Sequence, residues 1–186
     1  MKIIEAPNLY VPAKNEITCF LAGGITNCHQ WQKSVINAID SLDHDIDLVI
    51  YNPRRENFDI TKDDSKEQIK WEFNYLEKCD IFSMYFASSE KSNQPICLYE
   101  LGRNLVRMQT RFPSDYTSHG LTYLSRIVVT VESGYSRKDD VLIQTELATG
   151  PVEPVVMVHQ TAPDAIQSHA RRILNAYYKL KTVNPN

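Results

Sequence analysis

The sequence predicts an α/β protein: a five-stranded parallel sheet, doubly wound as a flavodoxin- or Rossmann-like three-layer sandwich, in a single domain. Three observations lead there. Five short apolar runs, at residues 16–22 (EITCFLA), 46–51 (IDLVIY), 79–86 (CDIFSMYF), 126–131 (RIVVTV) and 153–159 (EPVVMVH), have the length and continuity of strands buried on both faces. Stretches of helical period follow them, and such alternation gives parallel strands joined by helical crossovers. A chain of 186 residues, 42% of them hydrophobic, suits one domain with a core of its own.

Residues 1–15 hold two prolines and little periodicity, and read as an extension ahead of a domain spanning 16–180, with 181–186 as a C-terminal tail. After the first strand, Gly23-Gly24-Ile25 turns the chain into a helix carrying Trp31, Val35, Ala38, Ile39 and Leu42 on one side. Such a junction offers free backbone N–H groups and a positive dipole end to a phosphate or sugar hydroxyl, and reads equally as a plain tight turn. The second strand runs into Asn52-Pro53-Arg54-Arg55, which leaves the sheet at the same edge. This loop is either a solvated connector or a lid in which Arg54 or Arg55 meets a phosphate or stacks on a base.

In the next helix Ser65 and Gln68 form a capping box, and Ile69, Phe73 and Leu76 make the stripe expected to face the core. Glu72 then borders that face, about 60° from its centre, while Trp71 lies about 170° away, where it would mark a protein contact in a chain that only binds its ligand. After the strand at 79–86 and a polar loop, Gln94-Pro95 opens a helix with the stripe Leu98, Leu101, Leu105 and Met108. Glu100 lies off that stripe in the second turn. That is close to the edge where a doubly wound sheet receives ligands. Taken alone, Glu100 with Arg103 is also an ordinary i,i+3 surface pair.

Residues 109–124 show no clear period and read as a loop near the pocket or at a subunit contact. After the fourth strand, Ser136 opens a second capping box with Asp139. The last helix is striped by Ala165, Ile166, His169, Ile173, Tyr177 and Leu180, which makes His169 a core or interface histidine.

The formal net charge of −3 weighs against a nucleic-acid polymer as partner. The four cysteines lack CxxC spacing and read as reduced thiols of a cytosolic protein; the five histidines lack metal-ligand spacing, so no metal site is expected. No signal peptide is recognised, and no apolar run approaches the roughly 20 residues that span a bilayer, so the expected location is cytoplasmic, off the membrane.

Tyr99-Glu100-Leu101-Gly102-Arg103 resembles the YELGR segment of nucleoside 2-deoxyribosyltransferases and of the related deoxynucleoside 5′-monophosphate N-glycosidases. Gln68-Ile69-x-Trp71-Glu72 resembles the helix that bears the family's second acidic residue. Better-known members carry Asp where Glu72 stands; this form, with its preceding Asn-Pro-Arg-Arg loop, resembles a divergent branch. The resemblance implies that Glu100 is the nucleophile and that Glu72 donates a proton and positions the sugar. It also implies that Gly23, Gly24 and Ile25 approach the sugar's 5′ end. Asn52, Arg54 and Arg55 then belong to the site, and Gln94 is placed to hydrogen bond the base. Tyr135, with Arg137, follows the fourth strand, where the family lends polar residues to a neighbouring subunit, so a homodimer or larger homo-oligomer is implied.

The chemistry so implied starts with attack of a carboxylate on C1′ as the base departs. An acid is needed because a base anion leaves poorly, and burial would let Glu72 hold that proton. Net retention needs the carboxyls roughly 5–5.5 Å apart and no cofactor. The expected function is cleavage of a (deoxy)nucleoside through a covalent glycosyl-Glu intermediate, with transfer of the deoxyribosyl group to another base. Two alternatives stay open: an N-glycoside hydrolase acting on a nucleoside 5′-monophosphate or related nucleotide, and a non-catalytic nucleotide-binding or sensing module.

Overall fold

The computed structural model of the chain describes residues 1–55, 62–113, 122–150 and 155–183. Its strands are β1 Lys2–Glu5, β2 Ile17–Gly23, β3 Leu48–Asn52, β4 Ile81–Phe86, β5 Ile127–Glu132 and β6 Val156–His159, all parallel, in the order β1-β3-β2-β4-β5-β6. The helices are α1 Trp31–Leu42, α2 Lys62–Lys78, α3 Pro95–Arg111, α4 Lys138–Thr149 and α5 Ala162–Val183. Side chains alternate across the sheet. Phe20 and Ala22 of β2 join one core with Trp71, Tyr75, Leu101 and Leu105; Cys19 and Leu21 join the other with Trp31, Val35, Ile39 and Ile173. Both faces are therefore covered, which is why the strand sequences are continuously apolar. The result is a three-layer sandwich in one domain.

The sheet has one strand more than the five expected. Residues 2–5, in the segment read as an extension, pair with β3, Ile3 opposite Ile50 and Ile4 opposite Tyr51. Two adjacent isoleucines are too short a pattern to announce a strand. What makes one is the edge of β3, whose backbone groups need partners.

The expected face of α2 is overturned. The helix begins at Lys62, so Ser65 lies inside it and no capping box starts there. Ile69 and Phe73 are 64% and 52% exposed, whereas Trp71 and Tyr75 are 4% and 6% exposed. Trp71 is a core residue, not a surface contact. Its indole N–H donates to Asn8 O at 2.8 Å, and the Tyr75 hydroxyl accepts from the Tyr10 N–H at 2.6 Å. Aromatic residues with a polar tip bury well where the tip finds a partner. Here the N-terminal segment supplies both partners, so the face depends on residues over sixty positions away.

On α3 the expected stripe holds: Leu101, Leu105 and Met108 are buried and Leu98 packs partly buried against them. The second capping box does not form, because Ser136 Oγ donates to Asn93 Oδ1 and α4 starts without a side-chain cap. His169 is fully buried between Ser83 and Thr130. Of the loop expected at 109–124, the first residues complete α3 and Tyr123–Arg126 form a 3-10 turn; 114–121 lie outside the described residues, as do 153–154 of the last apolar run. Among the described residues no helix is long and apolar enough to cross a membrane.

Candidate active site

The loops that follow β2, β3 and β4 converge at the carboxyl edge of the sheet, where open α/β sheets bind ligands. They enclose a cavity of about 230 Å³. Gly23, Gly24 and Ile25 line it from the first loop, Pro53 from the second, and Gln94 and Cys97 from the start of α3. Glu72 of α2 and Glu100 of α3 line the same cavity. The two carboxylates are thus brought together from separate helices.

Their electrostatics differ. No described residue gives the Glu100 carboxylate a hydrogen bond or an ion pair; its i+3 neighbour Arg103 pairs instead with Glu77 and lies 4.2 Å over the Phe73 ring. Burial, and then the charge of Glu72, push the Glu100 carboxyl up to about 8. Burial also raises Glu72, but Gln68 Nε2 donates to its Oε1 at 2.7 Å and Arg55 stands near, and both favour its charged form. Two buried like charges do not both ionise readily, so the pair holds one proton near neutral pH. Of the two, Glu100 is pushed further toward its protonated form, because the donor and the cation beside Glu72 favour that residue's charge.

The first loop is built around its glycines. Gly23 has φ 150°, and a β-carbon there would lie 2.3 Å from Tyr85 O and 2.6 Å from the Trp31 ring. Behind the loop stands Arg54. Its Nε donates to Gln32 Oε1 at 2.8 Å, and its Nη2 faces the carbonyls of Ile25 and His29, each at 3.1 Å. Arg54 is therefore a clamp on the glycine loop, and those donors are turned to the chain's own carbonyls instead of a phosphate or base. Asn52 supports it: its Oδ1 accepts from the Arg54 N–H at 3.1 Å. Asn52, Arg54 and Arg55 line a second hollow of about 750 Å³, with Glu5 and Lys33, and not the cavity of the glutamates.

Gln94 precedes α3 in the left-handed region, with φ 46° and ψ 51°. Its amide Nε2 donates to Ala87 O at 2.7 Å, while Oε1, buried at the cavity, has no partner among the described residues. A buried acceptor left open costs free energy unless a ligand N–H meets it. Tyr135 is 2% exposed, stacked on Phe86, with its hydroxyl donating to Asn93 O at 2.9 Å. It does not line the cavity. Packed inside its own chain, it braces Asn93, the residue before Gln94. Arg137 pairs with Asp140 at the surface.

Sequence reasoning missed Glu132, the last residue of β5. Its carboxylate accepts from His29 Nε2 at 2.6 Å, the Tyr85 hydroxyl at 2.6 Å and the Ser88 N–H at 2.7 Å. Burial alone would raise it, yet these donors, His29 foremost, hold it below the usual glutamate value. It joins the glycine loop to the loop after β4. The one signal was an acid closing an apolar strand at the ligand edge.

No curated protein matches the chain. The sequence profile described as nucleoside 2-deoxyribosyltransferase like matches residues 16–111, from the residue before β2 to the end of α3, a stretch that holds both glutamates, the glycine loop and Gln94. The chain belongs to the nucleoside 2-deoxyribosyltransferase-like family.

Proposed function

We propose that this protein cleaves the N-glycosidic bond of a 2′-deoxynucleoside and transfers the deoxyribosyl group to a second base. The observation that carries the reading is the pairing of Glu72 and Glu100 in one cavity, close enough for the charge of one to raise the other. In the first step the proton shared by the pair passes from Glu100 to Glu72. The Glu100 carboxylate then forms a bond to C1′ as the C1′–N bond breaks, and the electron pair of that bond stays on the departing base. Glu72 delivers its proton to the base nitrogen. In the second step the incoming base gives its proton to Glu72 and takes the sugar from Glu100, which restores the pair. Two displacements retain configuration.

The open Oε1 of Gln94 supports a role in holding an N–H of the base. Gly23 and Gly24 support close approach of the sugar, since they leave bare backbone on the cavity wall. A 2′-deoxynucleoside incubated with and without a second free base tests the reading. A new nucleoside that forms only with the second base supports transfer, and free deoxyribose in both reactions means that water takes the sugar. Tight binding with no product in either would identify a nucleotide-binding module instead. Trapping with a 2-fluoro sugar substrate should leave the adduct on Glu100.

A further inference from the structure

A second site lies at the opposite, amino-terminal edge of the sheet. There a cavity of about 300 Å³ opens between α5 and the start of β5, at the lower end of the size range of small-molecule sites. Arg172, Asn175 and Lys179 of α5 line it. At 100° per residue these three positions fall within about 60° of one another, so a single helix face delivers all three. Ser125 adds a hydroxyl, and Leu124, Ile127 and Val155 add apolar wall.

Arg172 donates to the carbonyls of Val129 and Val155, which explains two of the five N–H groups of a guanidinium. Neither Arg172 nor Lys179 forms an ion pair among the described residues, and no acid among those residues lines the cavity. Burial pulls the Arg172 guanidinium down to about 10. Buried charges are ordinarily paired. A strap between β5 and the approach to β6 accounts for Arg172, and the exposed Lys179, two turns along the same face, adds a second, solvated cation to the same cavity wall.

We propose that this cavity binds a phosphate monoester with a small apolar body, its dianion between Arg172 and Lys179 and its apolar part against Leu124 and Val155. The site is separate from the glutamate cavity, and the proposal does not depend on the reaction assigned to that cavity.

Calorimetry and thermal unfolding of the full chain with phenyl phosphate and with inorganic phosphate test it. Phenyl phosphate at about 100 times its Kd should raise Tm by about 5 °C or more and bind more tightly than inorganic phosphate. Lys179→Glu, at an exposed position seven residues beyond Arg172, should weaken binding roughly tenfold or more, whereas Glu100→Gln should leave it unchanged. No binding by the wild type, equal affinity for the two probes, or a shift reproduced by chloride at matched ionic strength overturns the proposal. So does undiminished binding by Lys179→Glu, or loss of binding in Glu100→Gln, which would place the anion in the other cavity.

Discussion

Oε1 of Gln94 stands 2.5 Å from where a β-carbon on Gly24 would be, and Sγ of Cys28 stands 2.6 Å from it. The thiol can turn aside, but the amide is tied to Ala87 O. Gly24→Ala should therefore push Gln94 out of register with the cavity while the fold survives. The expected result is a KM raised about tenfold or more, with stability lowered by about 1–3 kcal/mol. Steady-state kinetics and urea unfolding measure both. An unchanged KM would mean that the Gln94 amide is not at the substrate.

Glu100 should also be visible in the pH dependence of stability. Its folded-state carboxyl, near 8, lies above the value of about 4.5 in the unfolded chain. Between those values the unfolded state releases the proton first, so stability is fully present below about pH 4.5 and falls as pH rises toward 8. Glu100→Gln removes this slope. Relative to wild type, the variant should gain up to a few kcal/mol at pH 8.5 and little at pH 4.5, while losing about 10³-fold or more in kcat. Parallel stability curves for the two proteins from pH 4.5 to 8.5 would remove the shared-proton account.

The contrast between α2 and α3 shows what could be read from the sequence. On α3 the apolar residues occupy one stripe, so burial of Leu101, Leu105 and Met108 and the sideways placement of Glu100 follow from the period alone. On α2 two stripes compete, Ile69 with Phe73 and Trp71 with Tyr75, and the backbone of Asn8 and Tyr10 decides between them. Glu72 reaches the cavity all the same, but as the neighbour of a buried Trp71. The parallel strands were legible because burial on both faces leaves a continuous apolar run; β1 was not, since its pairing belongs to β3. Arg54 was legible as a site residue in kind only. Its partners are backbone carbonyls, which no residue pattern encodes.

That role of Arg54 predicts a particular failure. Arg54→Met keeps the length of the stem but leaves the loop carbonyls and Gln32 without their donor. A loss of about 2–4 kcal/mol in stability is expected, together with a fall in kcat/KM. A loop clamp should lower kcat/KM on a nucleoside and on its 5′-monophosphate by the same factor. A loss confined to the monophosphate would make Arg54 a phosphate ligand after all.

Glu132 closes the other side of the glycine loop, and the isosteric amide disturbs it. Three donors, from His29, Tyr85 and Ser88, point at its two oxygens, so Glu132→Gln removes the charge that gathers them and fits only if Tyr85 and His29 both turn to accept. The expected cost is about 2–4 kcal/mol at pH 7, or roughly 5–10 °C in Tm, with a lower kcat because the loops bearing His29 and Ser88 come apart. The pH dependence runs opposite to that of Glu100. The Glu132 carboxyl is held below its ordinary value of 4.5, so its contribution is present above that pH and is lost as pH falls through the depressed folded-state value. The Tm gap between wild type and Glu132→Gln should accordingly be full at pH 7 and narrow in acid below pH 4.5. A gap that stays constant down the acid limb would show that the buried carboxyl is not held as an anion by those three donors.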